Sequence, residues 1–418
     1  MEKAYFISIL VILFCGENVL NAIGWNFNGV SFFMLIYPYF YVLLALTIYI
    51  ISKKNRTNSI ENKAFVNHAL IILSGIFVFK SFILKDAGYV TSYINAFVIP
   101  ILVCYTSNYY IKRSRSNQYK LCKCVEVFFI VECCLAIFER IINWNTFEVV
   151  ENSTLIAAGE FRSSALQAHF LSNALIVCIV MNFMLVSKMQ AQRKVLFIGL
   201  GFLALLCFNS RAAIVIEVIS VVFYFFTIIL KSSRRNNKEK KYFLYMVFAT
   251  LLALPTLISM GWGGRLFATS TFVKDDNFLV RMRAIDMFDY ISWDRLLFGI
   301  EPTMMKVLMA RVNIPIIENF WIVFVFYYGI ILSIILLFVY WKIFSIRLKN
   351  FSTISILINV GTFIFISSTN NSLSAGIPAL SFFILCTYIY NNKSYANITR
   401  YAILRKRGYR NNVGQHCK

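Results

Sequence analysis

Apolar runs of about 20 residues alternate with short polar gaps along most of the 418-residue chain. A helix needs about 20 mostly apolar residues to cross a bilayer. Twelve stretches meet that requirement, at about 4–23, 30–51, 64–84, 90–111, 121–142, 166–187, 194–210, 212–230, 242–260, 318–340, 351–369 and 373–390. The pattern predicts an all-α, polytopic transmembrane helix bundle forming one integral membrane domain over residues 1–418. Most gaps are only turns, and between the seventh and eighth runs only Asn209, Ser210 and Arg211 intervene. Two polar stretches are longer, 143–165 and 261–317. In the second, Lys274-Asp275-Asp276-Asn277 reads as a helix start, followed by the helical run FLVRMRAIDMFDYISW. On that helix Arg283, Asp286 and Asp289 share one stripe, while Arg281 points nearly the opposite way.

Composition strengthens the membrane reading. The chain is 59% hydrophobic and 14% charged, where soluble domains carry roughly 25% charged residues. No internal repeat of solenoid length is visible. The first apolar run lacks a small-residue cleavage site and reads as a retained span. The formal charge of +22 has the size of a nucleic-acid binder's charge, but its placement argues against that partner. Basic clusters occupy every second gap: 53–56, 112–115, 188–194, 231–241, 342–349 and the tail 391–418. This is the positive-inside pattern, and it predicts both termini in the cytoplasm. The lipid bilayer is the first partner implied. Ten cysteines fall in apolar runs or on the basic side, so no disulfide framework is expected. Cys122-Lys-Cys124 and Cys133-Cys134 lack the spacing and histidine partners of a zinc site.

Charge on the other side is of a different kind. Arg140, Arg162, Arg211, Arg265, Arg281, Arg283, Arg295 and Arg311 lie there or within spans, and arginine suits bidentate recognition of phosphate or carboxylate. The 261–317 segment holds seven basic and six acidic residues, so anion recognition there must come from placed side chains. Each candidate has a plainer role beside the chemical one. Arg211 either snorkels to headgroups or clamps a phosphate. Arg162 and His169, seven apart, share one face if their helix starts early, and His169 either packs or serves as an acid or base. Glu318 either caps a helix or acts as general base or anchor for an acceptor hydroxyl. Glu132 and Glu139, beside Arg140, form a buried polar seam or line a proton or substrate path. Asp275-Asp276 caps a helix or holds a divalent cation.

Four motifs in order over roughly 160–340 carry a resemblance: FRSSALQAHFLSNAL, LLCFNSRAAIVIEVISV, RMRAIDMFDYISWDRLLFGIEP and IENFWIVFVFYYGII. Together they resemble the O-antigen polymerase and O-antigen ligase superfamily. The ligases' His-Asn stands here as Glu318-Asn319, closer to the polymerases. The second glycine of the Gly-x-Gly turn is replaced by Glu301-Pro302, and Ala212 replaces a glycine after Ser-Arg. The resemblance implies a glycosyltransferase in the bacterial cytoplasmic (inner) membrane. It would move a growing undecaprenyl-pyrophosphate-linked glycan onto a hydroxyl of a new lipid-linked repeat unit at the outer face. Donor and acceptor lipids, and a separate chain-length regulator, are the partners implied. Arg162, Arg211, Arg281 and Arg283 would hold the pyrophosphate, Glu318 or His169 would serve as base, and neither metal nor cofactor would be needed. A ligase acting on lipid A core and a lipid-linked oligosaccharide flippase are the competing readings.

Overall fold

The computed structural model describes residues 1–25, 36–52, 92–111, 114–147, 161–167, 169–230, 234–263, 276–370 and 377–391, with isolated positions between and beyond them. Every element among these residues is helical. In chain order they are α1 (Glu2–Phe14), α2 (Glu17–Ala22), α3 (Pro38–Ser52), α4 (Ile99–Tyr110), α5 (Arg115–Ile142), α6 (Phe170–Val186), α7 (Ala191–Phe208), α8 (Arg211–Ile229) and α9 (Arg234–Ser259). Then come α10 (Asp276–Asp286), α11 (Trp293–Phe298), α12 (Pro302–Arg311), α13 (Phe320–Leu348), α14 (Thr353–Ser368) and α15 (Ala379–Ile389). Among the described residues, four helices are long and apolar enough to cross a membrane: α7, α8, the Asn237–Ser259 part of α9, and α13. The helices α3, α6, α14 and α15 are apolar but shorter. Most of the third expected span, 64–84, lies outside the described residues.

The bundle is organised around α6, which sits in its middle. All its residues from Phe170 to Leu185 except Leu171 are buried, and α5, α7, α8, α14 and α15 pack against it. At the rim, α9 leaves Leu244, Phe248, Leu251 and Leu252 exposed, as a helix facing lipid would. Basic residues at the other end of the bundle are partly drawn inward. Lys194 is fully buried and donates to Tyr224 at 2.8 Å and Glu239 at 3.4 Å. Arg193 and Lys123 both reach the buried Glu126 carboxylate, at 2.7 and 2.9 Å. A buried ammonium is tolerable only when paired and hydrogen-bonded in this way. The 188–194 gap thus contributes Arg193 and Lys194 to ion pairs with Glu126 and Glu239. The start of the 391–418 tail is also anchored, since Tyr395 and Ile398 are buried and Tyr395 stacks on Tyr390.

Several expected spans have different bounds, and three of the differences bear on the site. The first breaks at Cys15-Gly16, because the 161–167 stretch presses against it. A Cβ on Gly16 would overlap the Leu166 carbonyl, and Gln167 Nε2 donates to the Leu13 carbonyl at 3.1 Å. The sixth begins at Phe170, not at 166. The tenth, expected to end near 340, runs to Leu348 but is broken at Gly329, where φ is 75° and ψ 164°. The segment after α9 folds as helices, as expected: α10, a 3-10 turn over Met287–Tyr290, α11 and α12. They share a core of their own, with Ala284, Met287, Ile300, Met305 and Leu308 packed on Ile322, Val323 and Phe326 of α13.

Candidate functional site

Several polar ends lie at one end of the bundle: hydrogen bonds join the end of α5, the stretch before α6, the end of α7 and the end of α9, and the contact of Phe183 near the end of α6 with Phe351 just before α14 puts the start of α13 and the end of α14 on the same side. Arg140 on α5 ties two of them, donating to the Phe161 carbonyl at 3.1 Å and the Gly261 carbonyl at 2.6 Å. Beside it, Glu139 is fully buried. Its Oε2 accepts the backbone N–H of Ser164 at 2.8 Å and of Ala165 at 3.0 Å, and its Oε1 accepts that of Thr146 at 2.9 Å. About two turns earlier, Glu132 accepts from Leu166 N at 3.3 Å. The two carboxylates thus hold residues 164–166 out of a helix, with Ala165 in the left-handed region at φ 40°. Ser163 adds bonds to the Ala136 and Cys207 carbonyls. That capture explains why Arg162 and His169 do not share a helical face: the stretch between them gives its N–H groups to α5 instead of to a helix. Glu139→Ala would leave the buried Ser164 and Ala165 N–H groups without acceptors, at about 1–3 kcal/mol each. The expected result is a sharp fall in folded protein recovered from membranes, read by size-exclusion chromatography in detergent.

Glu318 and Arg281 meet at this end. Asn319 caps α13, its side chain accepting from Trp321 N at 2.9 Å and Ile322 N at 3.4 Å. The capping role weighed for Glu318 therefore falls to its neighbour, and the Glu318 carboxylate is turned to other work. Arg281 Nη2 donates to Glu318 Oε2 at 2.9 Å and to the Thr369 carbonyl at 3.0 Å. The α13 start is stitched to the α14 end by Phe320 N to the Asn370 carbonyl at 3.2 Å and by Trp321 Nε1 to Ser368 Oγ at 2.6 Å. A cation from the polar segment and a carboxylate from a bundle helix are thereby locked into one unit, with each side chain still about a quarter to a third exposed: 37% for Arg281 and 22% for Glu318.

The remaining candidates are placed differently. Arg283, Asp286 and Asp289 all lie on the exposed face of α10 and the turn after it, as the stripe predicted, while Arg281 faces the bundle. Arg162 is buried and lies 4.4 Å from the centre of the Phe170 ring, so it is braced against the first residue of α6. His169 is the α6 cap, its Nδ1 accepting from Leu171 N at 3.3 Å, and Glu17 on α2 lies within its electrostatic reach. Arg211 is the half-buried first residue of α8, after Asn209 turns the chain in the left-handed region at φ 54°. Arg311 lies 4.1 Å from the centre of the Tyr290 ring. Asp294 at the start of α11 is held below its ordinary carboxylate value, first by the Ser292 hydroxyl, and its charge suits the helix N-terminus. Asp275 and Arg265 lie outside the described residues.

Sequence reasoning passed over Glu217. It sits among Ile214, Val215, Ile216 and Val218 on α8, and is fully buried with Asn182 Nδ2 donating to it at 2.7 Å. Ser220 and Thr362 meet 2.9 Å apart one turn further on. A lone ionisable residue inside an apolar run was the signal available in the sequence.

Comparison of the chain with protein-family models and with curated proteins finds no match.

Proposed function

We propose that the protein is a polysaccharide polymerase of the bacterial cytoplasmic membrane. In this reading it transfers an undecaprenyl-pyrophosphate-linked glycan to a hydroxyl of a fresh lipid-linked repeat unit. The observation that carries the reading is the Arg281–Glu318 unit, set where a helical polar segment meets the end of an apolar bundle. In the reaction, the acceptor hydroxyl oxygen bonds to the anomeric carbon as the bond to the pyrophosphate oxygen breaks. Negative charge develops on the leaving pyrophosphate, and fixed guanidinium groups stabilise it without reorganising. Arg281 is the primary contact, with Arg211, Arg162 and Arg283 as further donors around the lipid headgroup. Glu318, held in place by Arg281, anchors the acceptor hydroxyl, and its proton passes to Glu318 or to His169. A chain-length regulator would be a separate protein partner.

The reading is tested by deleting the gene and following surface glycan and lipid-linked intermediates. Glycan capped at one repeat unit, with long chains restored by the wild-type gene, supports polymerisation. Long lipid-linked chains that never reach a final acceptor would instead mean a ligase. A flippase is favoured by one feature, the buried Glu217–Asn182 and Ser220–Thr362 seam between α6, α8 and α14, because transporters carry polar groups inside their spans. Repeat units trapped facing the cytoplasm would establish it. Within the polymerase reading, Arg283→Ala is expected to slow chain extension by less than about tenfold, since an exposed charge contributes roughly 1 kcal/mol or less. The check is the rate of long-chain product formation with purified lipid-linked repeat units.

A further inference from the structure

An apolar groove of about 460 Å³ runs between the second half of α13 and α14. Leu337, Tyr340 and Phe344 form one wall, and Val360, Phe363 and Ile364 the other. From Ile356 to Ser367 on α14 it extends roughly 17 Å, at about 1.5 Å per residue. Leu348 and Lys349 close one end, and Phe320, Trp321 and Ser367 close the other. That second end is next to the Arg281 unit. Trp321 bonds Ser368, Phe320 bonds the Asn370 carbonyl, and Thr369 between them accepts from Arg281. A hydrocarbon trough therefore leads to a fixed cation.

We propose that this groove holds the polyprenyl chain of the lipid-linked substrate, so that its pyrophosphate is presented to Arg281; the proposal rests on the polymerase reading above. Two features favour a single prenyl chain over a bilayer phospholipid. The walls are neighbouring helices joined by a turn at 349–352, which leaves a trough for one chain where a phospholipid carries two. The lining is aromatic along its length, with Phe320, Trp321, Tyr340, Phe344 and Phe363, and such flat rings pack well against a methyl-branched, unsaturated chain. The groove also fixes the chain's depth, which sets the height of the headgroup at the mouth.

The test uses the full-length protein in nanodiscs and a polyprenyl pyrophosphate bearing a diazirine on its tail. After irradiation, label is expected in peptides covering 337–348 and 356–367. Unlabelled polyprenyl pyrophosphate should compete, and an excess of phosphatidylglycerol should not. Ile364→Phe, and Ile356→Phe at the other end, fill the groove and should each lower labelling about tenfold, the equivalent of roughly 1.4 kcal/mol. Whichever variant elutes as wild type on size exclusion is the one read. Label confined to other helices, equal competition by phosphatidylglycerol, or undiminished labelling in a folded filled variant would overturn the proposal. The two readings separate cleanly. Wild-type protein that takes label in the groove but extends no glycan keeps the lipid site and loses the polymerase. Filled variants that extend glycan at the wild-type rate lose the groove and keep the polymerase.

Discussion

On the polymerase reading, Arg281→Ala is expected to lower glycan chain extension by about 100- to 1,000-fold, the range found when one fixed donor to a developing oxyanion is removed. Two features of its setting predict an effect of that size. The guanidinium is held by two anchors, Glu318 and the Thr369 carbonyl, at 2.9 and 3.0 Å, so little reorganisation is needed when charge develops beside it. It is also delivered by a helix with a core of its own, since Ala284 and Met287 beneath it are buried against α13. Arg281→Lys keeps the charge but loses the fork that serves two partners at once, and only partial recovery is expected. The double mutant with Glu318→Ala provides the stricter test. Residues acting as one unit are not additive, so the pair should cost little more than the larger single change. The measurement is turnover of purified lipid-linked repeat units, alongside the glycan length profile of complemented cells. A folded Arg281→Ala protein that makes long chains at the wild-type rate would remove the central residue of the proposed site.

The features readable in the sequence are those set by neighbours along the chain. Apolar runs gave the helices, and Asn209-Ser210 gave the tight α7–α8 turn. The three-residue stripe Arg283, Asp286, Asp289 correctly put Arg281 on the other face of α10. The features that could not be read depend on partners far apart in sequence. Residues 161–167 carry no helix breaker, yet they are not helical, because Glu132 and Glu139, some 25–34 positions away, take the N–H groups of residues 164–166. No local rule announces that a carboxylate inside a span will accept backbone hydrogens from a distant loop. The same holds for Arg281 and Glu318, 37 residues apart. Taken singly they suit separate duties as phosphate ligand and base, and the fold couples them. Glu318 itself was weighed as a helix cap, but Asn319 takes that place because its shorter amide reaches the N–H groups of residues two and three ahead. Arg140 has no evident task in the sequence beyond lying beside Glu139, and in the fold it links Phe161 to Gly261.

Gly329→Ala is expected to destabilise the protein by about 2–5 kcal/mol, combining backbone strain with overpacking. At φ 75° and ψ 164° the residue occupies a region that only glycine enters readily. A Cβ there would also overlap the Leu297 carbonyl, Phe298 and Gly299. The break is what joins the polar segment to the bundle. By leaving the helix at Gly329, the chain frees the Phe326 carbonyl to accept from Ile300 N at 2.8 Å, while Ser333 Oγ bridges back to the Phe324 carbonyl at 2.9 Å. The Phe298-Gly299 turn and the Tyr328-Gly329 break, which lie 30 residues apart in sequence, are thus two halves of one joint. Gly361 on α14 is the matched control. Open space surrounds the position of its Cβ and its φ is ordinary, so Gly361→Ala should be neutral or gain about 0.5–1 kcal/mol from helix propensity. Thermal unfolding in detergent reads the stability difference, and limited proteolysis across 276–317 reads the joint itself. Because α10 is packed on the same half of α13, opening the joint should also draw Arg281 away from Glu318, so chain extension should fail in any Gly329→Ala protein that still inserts. A Gly329→Ala protein with the wild-type melting temperature, a protected 276–317 segment and normal chain extension would show that the break is incidental to both fold and site.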